Sequence, residues 1–178
     1  KRKEKNNMIK IGQPAPEFTL EAAYKDKFEK VSLKDYKGKW TVLFFYPLDF
    51  TFVCPTEITE FSKRTKEFDE CDTKVLGASV DSVHSHKAWL KDLGELNYPL
   101  LSDMTKQVSR DYGVLLEEEG ITLRGTFIID PEGIVRYQLI HDNNIGRNVE
   151  EILRVLKALQ SGGLCPAGWQ PGDDNLKG

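Results

Sequence analysis

The succession of apolar runs along this chain predicts an α/β domain built on a mixed sheet covered on both faces by helices. Three observations carry the prediction. Residues 41–46 (TVLFFY) form an almost wholly apolar run of β-branched and aromatic residues, the composition of a central strand buried on both faces. Strand-like and helix-like segments alternate after it. Val149, Ile152, Leu153, Leu156 and Leu159 then repeat at helical spacing near the end of the chain.

The elements follow in order. Gly12 to Pro16 has turn chemistry, and residues 31–33 read as a short strand. Pro47 ends the central strand. Ile58, Phe61, Thr65 and Phe68 predict a helix over residues 55–68. Residues 75–80 read as a second buried strand, and Trp89, Leu90 and Leu93 mark the inward face of a second helix. A short strand at 99–101 and a short helix at 107–112 come next. Asp130-Pro131-Glu132-Gly133 between residues 126–129 and 134–140 predicts a β-hairpin.

The chain shows no internal repeat, and its 178 residues suit one domain with a sizeable core. Residues 1–8 read as a disordered or tag-derived arm. Ser161-Gly162-Gly163 reads as a hinge, and the Pro/Gly-rich residues 161–178 as a flexible tail. That tail carries Cys165 and Trp169, which a plain linker would not need.

Composition narrows the function. With 39% hydrophobic and 30% charged residues and a net charge of -3, nucleic acid and anionic membrane are poor partners. No apolar run approaches the roughly 20 residues of a membrane span, and no apolar stretch follows the basic N-terminus as a secretory signal would. The three cysteines, Cys54, Cys71 and Cys165, form no CxxC and no close Cys/His pairing, so neither a zinc site nor a disulfide framework is expected. Sparse, odd cysteines fit a reducing, cytoplasmic compartment.

The richest segment is residues 47–57 (PLDFTFVCPTE). Cys54 falls where a buried strand hands over to a helix, at or near the N-cap, with Pro55 suited to the first helical position. Unpaired amides and the positive dipole end stabilise an anion there, so a thiol gives up its proton more readily. Thr51 is placed to return its hydroxyl toward the sulfur, and Pro47 to shield it from water.

These residues resemble the peroxiredoxins, whose Pro-x-x-x-Thr-x-x-Cys pattern is met by Pro47, Thr51 and Cys54. The run FYPLDFTFVCPTEI is similar to the typical 2-Cys group, which includes the alkyl hydroperoxide reductase C-type enzymes. Residues 124–130 (RGTFIID), 146–148 (GRN) and 165–169 (CPAGW) agree, so the resemblance extends from about Ile9 onward. It implies a thioredoxin-like fold whose C-terminal tail carries the resolving cysteine. It implies a thiol peroxidase that reduces hydrogen peroxide and organic hydroperoxides. Cys54 would become a sulfenic acid, and Cys165 from a second subunit would resolve it as an intersubunit disulfide. Thr51 and Arg124 would position the peroxide, Pro47 would cover the site, and Glu57 and Arg147 would form a supporting charge network. No metal or organic cofactor is implied, because sulfur does the redox work. Thioredoxin or a flavoprotein disulfide reductase would supply electrons, and a homodimer assembling to a decamer would be the working form.

Other readings stay open at this level. Arg124 alone could be a solvated charge, and Glu57 and Arg147 plain ion-pair partners. Cys71 lies among Asp69, Glu70 and Asp72, which disfavour a thiolate, and His84, His86, His141 and Trp89 read as structural. A redox sensor or holdase would share the reactive thiol but not turn over repeatedly. A thioredoxin-type disulfide oxidoreductase would need a cysteine where Glu57 stands. The segment 91–96 (KDLGEL) lacks the Gly-Gly-Leu-Gly loop of some relatives, and the chain ends at Gly178 without their terminal helix. A mobile tail, fast resolution and resistance to overoxidation are therefore expected.

Overall fold

The computed structural model describes residues 9–178; the expected N-terminal arm, residues 1–8, lies outside them. The apolar run TVLFFY lies at the centre of the sheet as strand β3 (Trp40–Phe45). Its side chains alternate between two cores: Val42 and Phe44, with Tyr46 beyond the strand, enter one, and Leu43 and Phe45 the other. β3 pairs in parallel with β4 (Thr73–Ser79), and β4 with β5 (Leu100–Ser102). On its other side β3 pairs antiparallel with β8 (Arg124–Ile129), which forms a hairpin with β9 (Val135–His141).

The far edge is a hairpin of β1 (Thr19–Tyr24) and β2 (Lys27–Ser32), with β1 antiparallel to β5. The seven-stranded order is β2-β1-β5-β4-β3-β8-β9, a mixed sheet as predicted. A two-stranded ribbon of β6 (Leu115–Leu116) and β7 (Ile121–Thr122) stands apart.

The helical cover is uneven. One core takes residues from α1 (Cys54–Lys63), α2 (Thr65–Glu70), α3 (Val83–Leu93) and α5 (Val149–Ser161). The other is closed by α4 (Gln107–Asp111), a 3-10 turn at Leu33–Tyr36 and the chain around Ala15 and Phe18.

Two expectations need correction. The strand read at 31–33 is the end of β2, and Leu33 already belongs to the 3-10 turn. The helix read over 55–68 is two helices meeting at Arg64 (φ -96, ψ 8). Thr65 there turns its hydroxyl back onto Phe61 O and Ser62 O at 3.2 and 2.8 Å, a local bond that competes with helix continuation.

One close approach needs a glycine. Gly77 on β4 faces Phe44, and a Cβ there would lie 2.8 Å from the Phe44 ring. Its absence lets Phe44 stack on Phe61 of α1 at 4.3 Å, which seats α1 against the sheet.

Residues after α5 turn back at Gly162 (φ 68) and close a loop through a bridge between Leu164 and Leu176. Trp169 is buried in that loop; its carbonyl accepts from Arg154 Nη1 at 2.8 Å and its indole N–H donates to Asp173 O at 3.1 Å.

Candidate active site

β3 delivers the chain, through Tyr46 and the buried Pro47, to a loop that ends at α1. Cys54 is the first residue of that helix, after an N-cap at Val53, so Pro55 sits one position further in than predicted. Pro55 still falls among the first helical residues, whose N–H groups have no intrahelical partner. The thiol is fully buried.

Three charged side chains surround it. Arg124, the first residue of β8, donates from Nη1 to Cys54 Sγ at 3.4 Å and to Glu57 Oε2 at 2.7 Å, and from Nε to Asn143 O at 2.9 Å. Glu57, one helical turn after Cys54, also accepts from Arg147 Nε at 3.0 Å and Nη2 at 2.9 Å, and from the Arg147 backbone N–H at 2.8 Å. The side chains of all three are almost wholly buried. Two guanidinium groups and one carboxylate leave a positive balance facing the sulfur, the sign that suits an anion.

Burial draws the Arg147 pKa down, against the opposing pull of Glu57. Its guanidinium also lies over the Phe44 ring, 4.9 Å from the centroid.

The structure thus brings Cys54, Glu57, Arg124 and Arg147 together. Thr51 shares the loop, half-buried, and donates its hydroxyl proton to Leu48 O at 3.0 Å, which leaves its lone pairs free to accept. Cys165 is elsewhere. It lies in a cleft of about 680 Å³ with Trp40, Asp130 and Arg154, and contacts Ser161 Oγ at 3.3 Å. Trp40 begins β3 and Asp130 follows β8, so this cleft is at the end of the sheet opposite Cys54. The six residues of β3 alone span about 20 Å. Cys71 is half-buried beneath α5, and burial raises its pKa.

The model of the AhpC/TSA family matches residues 11–138. The chain belongs to that family. It is 58% identical over 174 residues to a putative peroxiredoxin in the rubredoxin operon of Clostridium pasteurianum, covering 93% of this chain and 98% of the relative. It is 55% identical to the mitochondrial thioredoxin-dependent peroxide reductase of Drosophila melanogaster, covering 92% and 74%. The crystal structure of reduced Plasmodium vivax 2-Cys peroxiredoxin superposes with a TM-score of 0.91 at 43% identity, covering 94% of this chain and 92% of that one. The protein is accordingly a peroxiredoxin, a thiol peroxidase on a thioredoxin-like fold.

This peroxiredoxin also holds a buried polar network that the sequence did not reveal. Asp49, on the loop before Cys54, accepts from Tyr46 OH and Ser85 Oγ, each at 2.8 Å, and its Oδ2 lies 2.8 Å from His86 Nδ1. The other ring nitrogen of His86 lies 3.0 Å from Leu101 O. The Asp49 backbone N–H donates to Asp81 Oδ2 at 2.8 Å. These contacts pin the loop beside Phe50, whose φ of 55 is a strained value for a residue with a side chain. His86 is therefore structural, as expected, and it orders the loop that carries Thr51. Asp49 and His86 stand 37 residues apart, so no local motif links them.

Among the described residues, no helix is long and apolar enough to cross a membrane.

Proposed function

We propose that Cys54 is the peroxidatic cysteine and that Cys165 of the partner subunit resolves it. The observation that carries the proposal is Arg124 Nη1 standing 3.4 Å from Cys54 Sγ at a helix N-terminus, held there by Glu57.

The Cys54 thiolate attacks one oxygen of the peroxide. An S–O bond forms, the O–O bond breaks, and the distal oxygen leaves as water or an alcohol once it gains a proton. Arg124 stabilises the charge that develops on both oxygens, and the helix N-terminus acts in the same sense. Thr51, with its own proton committed to Leu48 O, accepts from the peroxide O–H. Pro47 keeps water from the sulfur. Glu57 and Arg147 hold Arg124 in place.

The sulfenic acid then condenses with the Cys165 thiol of the partner subunit, forming a disulfide and releasing water. A dithiol donor, thioredoxin before a flavoprotein reductase, returns both thiols by exchange. Support for a second subunit comes from distance: a disulfide needs Cα atoms within about 7 Å, far less than the length of β3 that separates the two cysteines in one chain. Support for a homodimer comes from β9, an edge strand with Leu139 and Ile140 exposed. Exposed Phe50 and Phe52 on the site loop favour further assembly toward a decamer. Three free cysteines fit a cytoplasmic setting.

Mixing two inactive variants tests the scheme. Cys54→Ser consumes no peroxide, and Cys165→Ser stops at the sulfenic acid. Mixed chains regain a disulfide and turnover, because one Cys54 then faces one intact Cys165 across the interface. A Cys54→Ser variant with full activity, or no disulfide in the mixture, overturns it.

A further inference from the structure

Asn143 belongs to none of the site motifs, yet it is tied to Arg124 in two ways. β9 ends at His141, which pairs with Arg124 at the start of β8. Beyond that pair the backbone ladder stops, and Asn143 extends it with its side chain. Its Nδ2 donates to Thr122 O, at the end of β7, at 3.0 Å. Its own carbonyl accepts from Arg124 Nε at 2.9 Å. One residue thus joins the backbone just ahead of Arg124 to the far end of the Arg124 side chain.

That link decides where the guanidinium points. Nη1 is the atom shared between Cys54 Sγ and Glu57 Oε2. A planar group that is also bonded at Nε cannot swing about its stem, so Asn143 O sets the rotation that aims Nη1 at the sulfur. The carbonyl in turn is placed by whatever holds residue 143. Part of that hold is a turn in which Asn144 N–H donates to Asp142 Oδ1 at 2.8 Å. The rest is the bond to Thr122. Two more polar atoms lie on this pair: Thr122 Oγ1 and Asn143 Oδ1 are buried, and neither has a hydrogen-bond partner among the described residues. Buried polar atoms are nearly always satisfied, and one left alone costs stability. A hydroxyl that can donate and an amide oxygen that accepts, on two residues already joined, suit one internal water.

We propose that Asn143 is a positioning residue for peroxide reduction, holding Arg124 through a clasp to Thr122 made of the direct bond and one internal water. The proposal rests on the reading of Arg124 as the group that stabilises the breaking O–O bond. Asn143 acts on the reaction through that guanidinium.

Three variants of the full-length, reduced protein test the clasp. Asn143→Leu keeps the bulk and deletes the amide, Thr122→Val deletes the hydroxyl, and Thr122→Ser restores it. Oxidation of Cys54 by hydrogen peroxide, followed by stopped flow, should slow roughly ten-fold in Asn143→Leu and in Thr122→Val. Thr122→Ser should react at the parent rate. Alkylation of Cys54 by iodoacetamide at alkaline pH, read on its peptide by mass spectrometry, should stay at the parent rate in all three, because it needs the sulfur but no donor to a breaking O–O bond. Parent-like oxidation in Asn143→Leu overturns the proposal. So does faster alkylation in that variant, the mark of a pocket merely loosened. Parent-like oxidation or a raised urea midpoint in Thr122→Val shows a hydroxyl without a water and overturns the clasp. If peroxide leaves parent Cys54 unoxidised, the peroxidase scheme fails instead. The Arg124 Nε–H resonance, assigned by its loss in Arg124→Lys, then decides the role of Asn143 without peroxide: its exchange with solvent should speed up about five-fold in Asn143→Leu, and unchanged exchange overturns the clasp.

Discussion

Glu57 is the side chain on which the site's charges balance. It accepts from both Arg124 and Arg147 in a setting that water barely reaches. Removing one partner of such a group leaves uncompensated buried charge, which costs about 3–5 kcal/mol. Glu57→Gln should therefore lower the urea midpoint strongly as well as slow peroxide reduction, both measured on one preparation. Arg124→Lys keeps the charge but loses the planar group that fixes Nη1 between Sγ and Glu57 while Nε donates to Asn143 O. It should slow Cys54 oxidation roughly a hundred-fold, the scale of a lost oxyanion donor, as followed by stopped-flow peroxide consumption. The sequence marked Cys54, Thr51 and Pro47 because they share one stretch of chain. Arg124 and Arg147 were legible only through the family resemblance, since nothing local distinguishes them from surface charges. Asp49 and His86 stayed hidden because the fold alone brings residues 37 apart into contact.

Elements were legible where one face or both faces were apolar. β3, β4, the β8–β9 hairpin and α5 all appeared in the pattern, because burial imposes it. The β1–β2 hairpin did not. β2 is an edge strand exposed along four of its six residues, and its turn, Lys25-Asp26, lacks the usual glycine; Lys25 instead takes φ 53 itself. The break at Arg64 was equally silent, because α1 and α2 keep one apolar spacing across it. Arg154 links α5 to the tail through Trp169 O while pairing with Glu151. Arg154→Ala should free the tail, seen as a shifted and broadened indole N–H resonance of Trp169. Acid should act in the same direction. The bond from Arg154 lowers the Glu151 pKa, so the pair contributes above the unfolded-chain value and is lost as pH falls through the folded one. The effect is small, because the Glu151 side chain is nearly half exposed.

At the scale of the whole molecule, the sheet has two unlike edges. β2 carries Lys27, Glu29 and Lys30, charges that discourage pairing with another strand, whereas β9 exposes Leu139 and Ile140. A charge placed on the second edge should keep chains apart. Leu139→Glu is expected to elute as a monomer on sizing, to form no disulfide-linked dimer on a non-reducing gel, and to accumulate overoxidised Cys54. The separation of Cys54 from Cys165 along β3 then has a kinetic meaning. On the proposed scheme, in which Cys165 of the partner subunit resolves Cys54, a lone chain is a reagent that reacts once and stalls, and only paired chains form a catalyst. Specific activity should therefore decline on dilution below the dissociation constant of the dimer, so that the protein's own abundance sets the threshold at which peroxide removal becomes catalytic.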